Sequence, residues 1–365
     1  MNRTHIKILI QFAFSVIAVI ALWYAGVNPY DLIMSAWWPV LTLLQFSLLL
    51  ICFTSLPYRY FLAALGIGTS LVPLITYLVQ KPLSLLLEGS GLQSLLSRPE
   101  YFGTIGLTAP LIAPVTEEIT KLIPVIIIFF MLLRFKKYRL LSPVDFALLG
   151  LFAGAGFDIF ENICRSMNGF YDMNGLYRSS INEPLPGFFG IYLFPSIYRS
   201  EYLGNPMIWF GHSGYAACIS MAFGWFLYLK KKRYAFLPVL ILLISMFDHS
   251  MWNWYQPYPE QLWAIVLPKF TLYGRLIPVF YTVGLLASIG LLLKNKRRFE
   301  QELRQIKTLK ETPGNPLFRL SLILALRQRE NQLTNAFRHY LKKGIKAEPF
   351  DFVVQEIIGK PAGRS

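Results

Sequence analysis

The chain has 365 residues, 55% of them hydrophobic and only 15% charged, with a formal net charge of +15. Soluble globular chains carry about 25% charged residues, so the composition excludes an ordinary water-soluble enzyme and indicates a membrane protein. The basic excess comes with no nucleic-acid motif, and no nucleic-acid partner is expected.

A helix needs roughly 20 apolar residues to cross the hydrocarbon. Eight runs approach that length, at about 6–25, 37–55, 61–79, 109–133, 144–164, 206–229, 235–254 and 276–293. The first resembles a signal peptide, but its apolar core exceeds the ~7–15 residues of a signal h-region and no small-x-small cleavage site follows. It reads as a retained span. The expected fold is all-α, a polytopic bundle of about eight transmembrane helices with a helical cytoplasmic tail. Lys and Arg set the orientation. Fifteen lie in the short N-terminal, even-numbered-loop and post-span segments, against seven in the longer odd-numbered loops. Both termini of this multi-pass cell-membrane protein are therefore expected in the cytoplasm.

Residues 1–80 read as an N-terminal transmembrane scaffold, 109–254 as a core that carries the polar motifs, 255–293 as an outer loop and the last span, and 294–365 as a basic cytoplasmic tail. The tail holds 16 basic and 7 acidic residues, suited to anionic lipid headgroups. Within it Leu326, Leu333, Phe337 and Tyr340 recur at roughly helical spacing. The aromatic loops 165–205 and 254–275 suit either an interfacial belt or a lid over an outward-opening site. Cys52, Cys164 and Cys218 have no neighbours at metal spacing and read as buried small hydrophobes.

Ionisable groups inside a span are costly and mark function by default. In LIAPVTEEITKLIPV, Glu117 and Lys121 are i,i+4, and Glu118 and Lys121 are i,i+3, so both pairs can meet on one helix face. One lysine cannot neutralise both carboxylates equally. GLFAGAGFDIFENICRS holds Asp158, Glu161 and Asn162, after small residues that permit close helix approach. GHSGYAA places His212 at a span start, and HSMWN places His249 and Asn253 at i,i+4 on one face. Asp248 could orient a histidine or cap backbone groups. With the orientation above, Glu117, Glu161, His212, His249 and Asn253 all fall in the outer third of the membrane, which argues for one shared site.

Carboxylates, imidazoles and a carboxamide suit water activation and oxyanion stabilisation. Two chemistries fit: a glutamate mechanism without metal, or a Zn2+ held by Glu161, His212 and His249 with Glu117 as base for the bound water. Either is a peptide-bond hydrolase inside a membrane. In order along successive spans, EEITK (117–121), FDIFEN (157–162), GHSGYAA and HSMWN (249–253) resemble the motifs of the PrsW family of intramembrane proteases, related to the CAAX-processing and Abi membrane proteases. The resemblance covers about 109–254. It implies cleavage of a single-pass, membrane-anchored protein near the outer face, as an anti-sigma factor is cut in the family's namesake. It assigns Glu117 as the water-activating base with Glu118 supporting it, and completes the site with Lys121, Glu161, His212, His249 and Asn253.

Other readings stay open. GHSG (211–214) matches GxSG, so a rhomboid-like serine protease using Ser213 and His249 is one, and a non-proteolytic transporter or scaffold is another. There is no HExxH, and GAGFD departs from GxGD with no matching YD in a neighbouring span.

Overall fold

Small residues decide how closely the helices pack, and one proline, Pro124, stands at a helix break, whereas Pro39, Pro73 and Pro82 lie inside continuous helices. The computed structural model describes residues 29–89, 111–134, 141–167, 196–199, 206–229, 232–255, 266 and 268–299. In chain order these form α1 (Pro29–Leu50), α2 (Tyr58–Gly89), α3 (Ala113–Thr120), α4 (Ile123–Arg134), α5 (Pro143–Met167), β1 (Ser196–Arg199), β2 (Pro206–Trp209), α6 (Gly211–Leu229), α7 (Phe236–Tyr255) and α8 (Leu276–Phe299), with a 3-10 turn at Lys232–Tyr234. Four of the described segments are long and apolar enough to cross a membrane: Tyr58–Leu87, Pro143–Cys164, Lys232–Asn253 and Leu276–Lys294. The run 6–25 and the tail beyond residue 299 lie outside the described residues, as do most of the two aromatic loops.

The all-α expectation holds for the bundle, with one departure. β1 and β2 pair antiparallel, Ile197 opposite Ile208 and Tyr198 opposite Met207, just ahead of α6. Aromatic and β-branched residues favour this extended pairing, and Pro206 stands at a strand end, where a missing N–H is tolerated.

The expected single span 109–133 is broken in two. Lys121 and Leu122 form a turn between α3 and α4. Pro124 stands two residues further on and has no N–H to give the Thr120 carbonyl one turn back. Irregular backbone is tolerated at membrane depth where protein covers it, and Lys121 at this break is wholly buried.

α5 is the central element, buried over most of its length and packed against α1, α2, α4, α6 and α8. Its glycines allow this. A Cβ at Gly150 would run into the Ala216 carbonyl oxygen, and one at Gly154 into that of His212, both on α6. On the other face a Cβ at Gly156 would strike the Leu65 carbonyl oxygen of α2. The small residues of GAGFD therefore let α2 and α6 press onto α5 from two sides.

At the start of α5, Asp145 is buried and has no cationic partner in an ion pair among the described residues. Its carboxylate instead accepts six hydrogen bonds. Oδ1 takes them from Thr54 Oγ1 at 2.6 Å, Ser55 N at 2.7 Å and Leu56 N at 3.1 Å. Oδ2 takes them from Ser55 Oγ at 2.5 Å, Ser142 N at 2.7 Å and Ser142 Oγ at 2.8 Å. The connection between α1 and α2 is thus clipped to the head of α5. The three cysteines form no disulfide among the described residues, but only Cys218 is buried as expected; Cys164 is half-buried and Cys52 exposed, because Cys52 lies in the α1–α2 turn and not inside a helix face.

Asp145→Leu leaves up to six donors unmatched, each worth about 1–3 kcal/mol when buried. The expected loss is at least about 3 kcal/mol, read as a lower unfolding midpoint of the purified protein, and Asp145→Asn should recover part of it.

Candidate functional site

Seven ionisable residues from the α3 segment, α5, α6 and α7 converge between the helices. Each is placed by a local feature. Glu117 and Glu118 lie on adjacent positions of α3, and Lys121 sits at its C-cap, before the Pro124 break. Asp158 and Glu161 follow the glycine stretch of α5. His212 is in the first turn of α6, directly after Gly211, whose φ of 70° turns the chain from β2 into the helix. That angle lies in the left-handed region open to glycine. His249 is near the end of α7.

Lys121 is 0% exposed, so its ammonium must be matched inside the protein. Nζ lies 2.6 Å from Glu118 Oε1 and 2.6 Å from His212 Nδ1. An ammonium only donates, so Nδ1 of His212 accepts and the ring proton sits on Nε2, which donates to Glu161 Oε2 at 2.9 Å. The Phe157 ring adds a cation–π contact at 5.1 Å. Glu118 Oε1 also accepts from His249 Nδ1 at 2.9 Å. This leaves the Nε2 lone pair of His249 turned toward Glu117 Oε2, 3.9 Å away. The tautomers follow from this network.

Tyr215 stacks on the His249 ring at 6.0 Å and donates its hydroxyl to Asp248 Oδ2 at 2.6 Å. Asp248 thus holds the tyrosine beneath the histidine. Ser213 donates to Asp158 Oδ2 at 2.7 Å. The Ser213 hydroxyl proton is thus directed to Asp158 and not to His249, the base that a rhomboid-like pair needs. Asn253 is half-buried on α7, one turn beyond His249.

Two groups of donor atoms lie within 4.8 Å of one another: Glu117, His212 and His249, and Asp158, Glu161 and His212. The zinc set read from the sequence, Glu161, His212 and His249, is divided between them, because Glu161 and Glu117 approach opposite edges of the His212 ring. Glu117 Oε2 lies 3.7 Å from His212 Nδ1 and 3.9 Å from His249 Nε2, and is buried with no hydrogen-bond partner among the described residues. Tetrahedral Zn2+ with bonds of about 2.0–2.2 Å spaces its donors about 3.3–3.5 Å apart, so this set fits a zinc ion with small adjustments. Lys121 contacts the same Nδ1, so a metal there displaces the ammonium. Glu118 Oε2, equally buried and without a hydrogen-bond partner among the described residues, can receive it.

Sequence reasoning missed two residues at or near this site. Tyr215 carries no charge and looks like core. Gln80 of α2 donates from Nε2 to Glu117 Oε1 at 3.3 Å and to Thr116 Oγ1 at 2.9 Å. It lies just past the expected 61–79 span, in a helix that runs to Gly89; a carboxamide at the edge of an apolar run was the only signal.

Breaking a buried ion pair from one side costs about 3–5 kcal/mol. Lys121→Met should lower stability by about that much, and Glu118→Gln with Lys121→Met should recover a large part, both read from unfolding midpoints in detergent.

Comparison with known proteins bears on this arrangement. The family model described as PrsW family intramembrane metalloprotease matches residues 56–287, from the start of α2 into α8. No curated protein and no solved structure matches the chain. The matched region covers well over half of the chain, contains the α3, α5, α6 and α7 groups, and takes in three of the four described helices able to cross a membrane and part of the fourth. The chain accordingly belongs to the PrsW family of intramembrane metalloproteases, multi-pass membrane peptidases that cut their substrates within the bilayer.

Proposed function

We propose that this intramembrane protease is an endopeptidase that cleaves single-pass membrane-anchored proteins near the outer face, an anti-sigma-factor-like regulator being the expected kind of target. The observation that carries the proposal is the buried Glu117 Oε2 turned toward imidazole nitrogens of His212 and His249. The basic short loops support cytoplasmic termini, with 294–365 as a cytoplasmic tail and 109–254 as the catalytic core.

In this reading Glu117, His212 and His249 hold the metal. A Zn2+ held there would supply Lewis-acid polarisation of the scissile carbonyl and activation of water. The protein's own groups do the rest. Glu118 takes the Nδ1 proton of His249 in a hydrogen bond and so keeps Nε2 free to bind the metal, the carboxylate–histidine arrangement common behind metal-bound imidazoles. Lys121 balances Glu118. Glu161 accepts the Nε2 proton of His212 and is the carboxylate placed to hold a proton during turnover. Asn253, one turn beyond His249, offers a carboxamide to a developing oxyanion. Glu117, Glu118, Lys121, His212 and His249 are buried, and the low local dielectric strengthens the interactions among them.

One contact favours a second reading. Lys121 Nζ on His212 Nδ1 occupies a metal-facing lone pair, and in a metal-free enzyme Glu117 is instead the base that takes the water proton.

Glu117→Gln should abolish cleavage while the protein still folds, so comparative membrane proteomics should find single-pass proteins accumulating uncut. Wild-type cleavage by that variant removes the proposed role. Purified protein should carry about one equivalent of zinc, reduced in His249→Ala; an active, metal-free preparation favours the glutamate mechanism.

A further inference from the structure

A glutamate's terminal torsion is broad, so rotamer preference alone does not decide which carboxylate oxygen faces a site. At Glu117 one oxygen must face His212 and His249, and the α3 helix provides no hydrogen bond that holds the other. That hydrogen bond comes from α2. Thr116 donates its hydroxyl to the Ile112 carbonyl at 2.8 Å and lies 3.1 Å from that of Ala113, so toward Gln80 it acts as acceptor. This fixes the Gln80 amide with Nε2 toward α3. One N–H goes to Thr116 Oγ1 at 2.9 Å and the other to Glu117 Oε1 at 3.3 Å. With Oε1 held, Oε2 is the oxygen left facing the imidazoles at 3.7 and 3.9 Å.

We propose that Gln80 is a positioning residue for Glu117, its carboxamide, oriented by Thr116, aiming Oε2 at the point between His212 and His249. The N-terminal helix α2 is then a working part of the site and not only scaffold. The inference rests on the reading of Glu117 given above. A second α2–α3 contact supplies the control: Thr76 Oγ1 and Thr120 Oγ1 lie 2.6 Å apart, one turn back from Gln80 in α2 and one turn on from Thr116 in α3. That contact joins the same pair of helices without touching the Glu117 carboxylate; Thr120 Oγ1 reaches only the Glu117 backbone carbonyl, at 3.2 Å.

The test uses the full chain in detergent with Zn2+ as probe, titrated against a chelating indicator. Loss of a partner behind a metal ligand typically costs about 10–100-fold in affinity. Gln80→Leu should therefore weaken Zn2+ binding about 10–100-fold, Thr116→Val should weaken it less, and Thr116→Ser should restore it. Thr76→Val, which loosens the same helix pair, should leave it unchanged. Zn2+ affinity of a folded Gln80→Leu within about twofold of wild type overturns the proposal. So does an equal loss in Thr76→Val, which would assign the effect to packing.

If the wild type binds no Zn2+, the metal reading of Glu117 fails, and the positioning claim is still decided by a second measurement. Dicyclohexylcarbodiimide labels carboxyl groups in apolar surroundings, and mass spectrometry gives the rate at Glu117. With its donor removed, Oε1 is open to the reagent, so Gln80→Leu should label several-fold faster than wild type and Thr76→Val at the wild-type rate. Equal rates in all three overturn the proposal.

Discussion

The site depends on one buried cation. Lys121 is fully enclosed, and its ammonium lies within 2.6 Å of both Glu118 and His212. An unmatched ammonium at that depth would cost several kcal/mol. The protein meets that cost with one carboxylate, one imidazole and an aromatic face. The consequences extend through both histidines. Donation from Lys121 places the His212 proton on Nε2 and so directs it to Glu161. Glu118, already held by Lys121, in turn fixes His249 with its Nε2 toward Glu117. The lysine thereby sets the tautomers of two histidines on different helices.

The fold is arranged to bring these groups together. Glycines 150 and 154 let α6 approach α5 closely enough that the backbone of His212 lies against Gly154. Pro124 interrupts the fourth run just beyond Lys121, so the residue that neutralises the acids sits at a break and not within a continuous helix. Asp145, far along α5 from Glu161, clips the α1–α2 connection to the same helix through six hydrogen bonds. α2 is held at one end by that clip. Toward its other end it reaches α3 through Thr76 and Gln80.

Much of this was legible in the sequence because charge inside an apolar run is conspicuous. Glu117, Glu118, Lys121, Glu161, His212 and His249 stood out for that reason, and helical spacing already paired Glu118 with Lys121. The grouping of possible metal donors was not legible. Whether Glu117 or Glu161 shares an ion with both histidines depends on which edge of the His212 ring each approaches, and spacing along the chain carries no such information. Neutral residues were silent for the same reason: Gln80 and Tyr215 add no charge, and their contacts cross from one helix to another. Asp145 was readable in principle as an acid at the head of a span, but its partners in the α1–α2 turn were not. The split of α3 from α4 was signalled by Pro124, yet composition alone favoured one continuous helix.

The central claim is that Glu117, His212 and His249 enclose the reactive point, with Lys121 and Glu118 fixing their orientation. An anomalous difference map at the zinc edge, from crystals of the zinc-loaded protein, tests it most directly. The account predicts one peak bounded by Glu117 Oε2, His212 Nδ1 and His249 Nε2, with the Lys121 ammonium moved toward Glu118 Oε2. A peak on the opposite edge of His212, between Asp158 and Glu161, would contradict it, as would zinc-loaded crystals with no peak near either histidine.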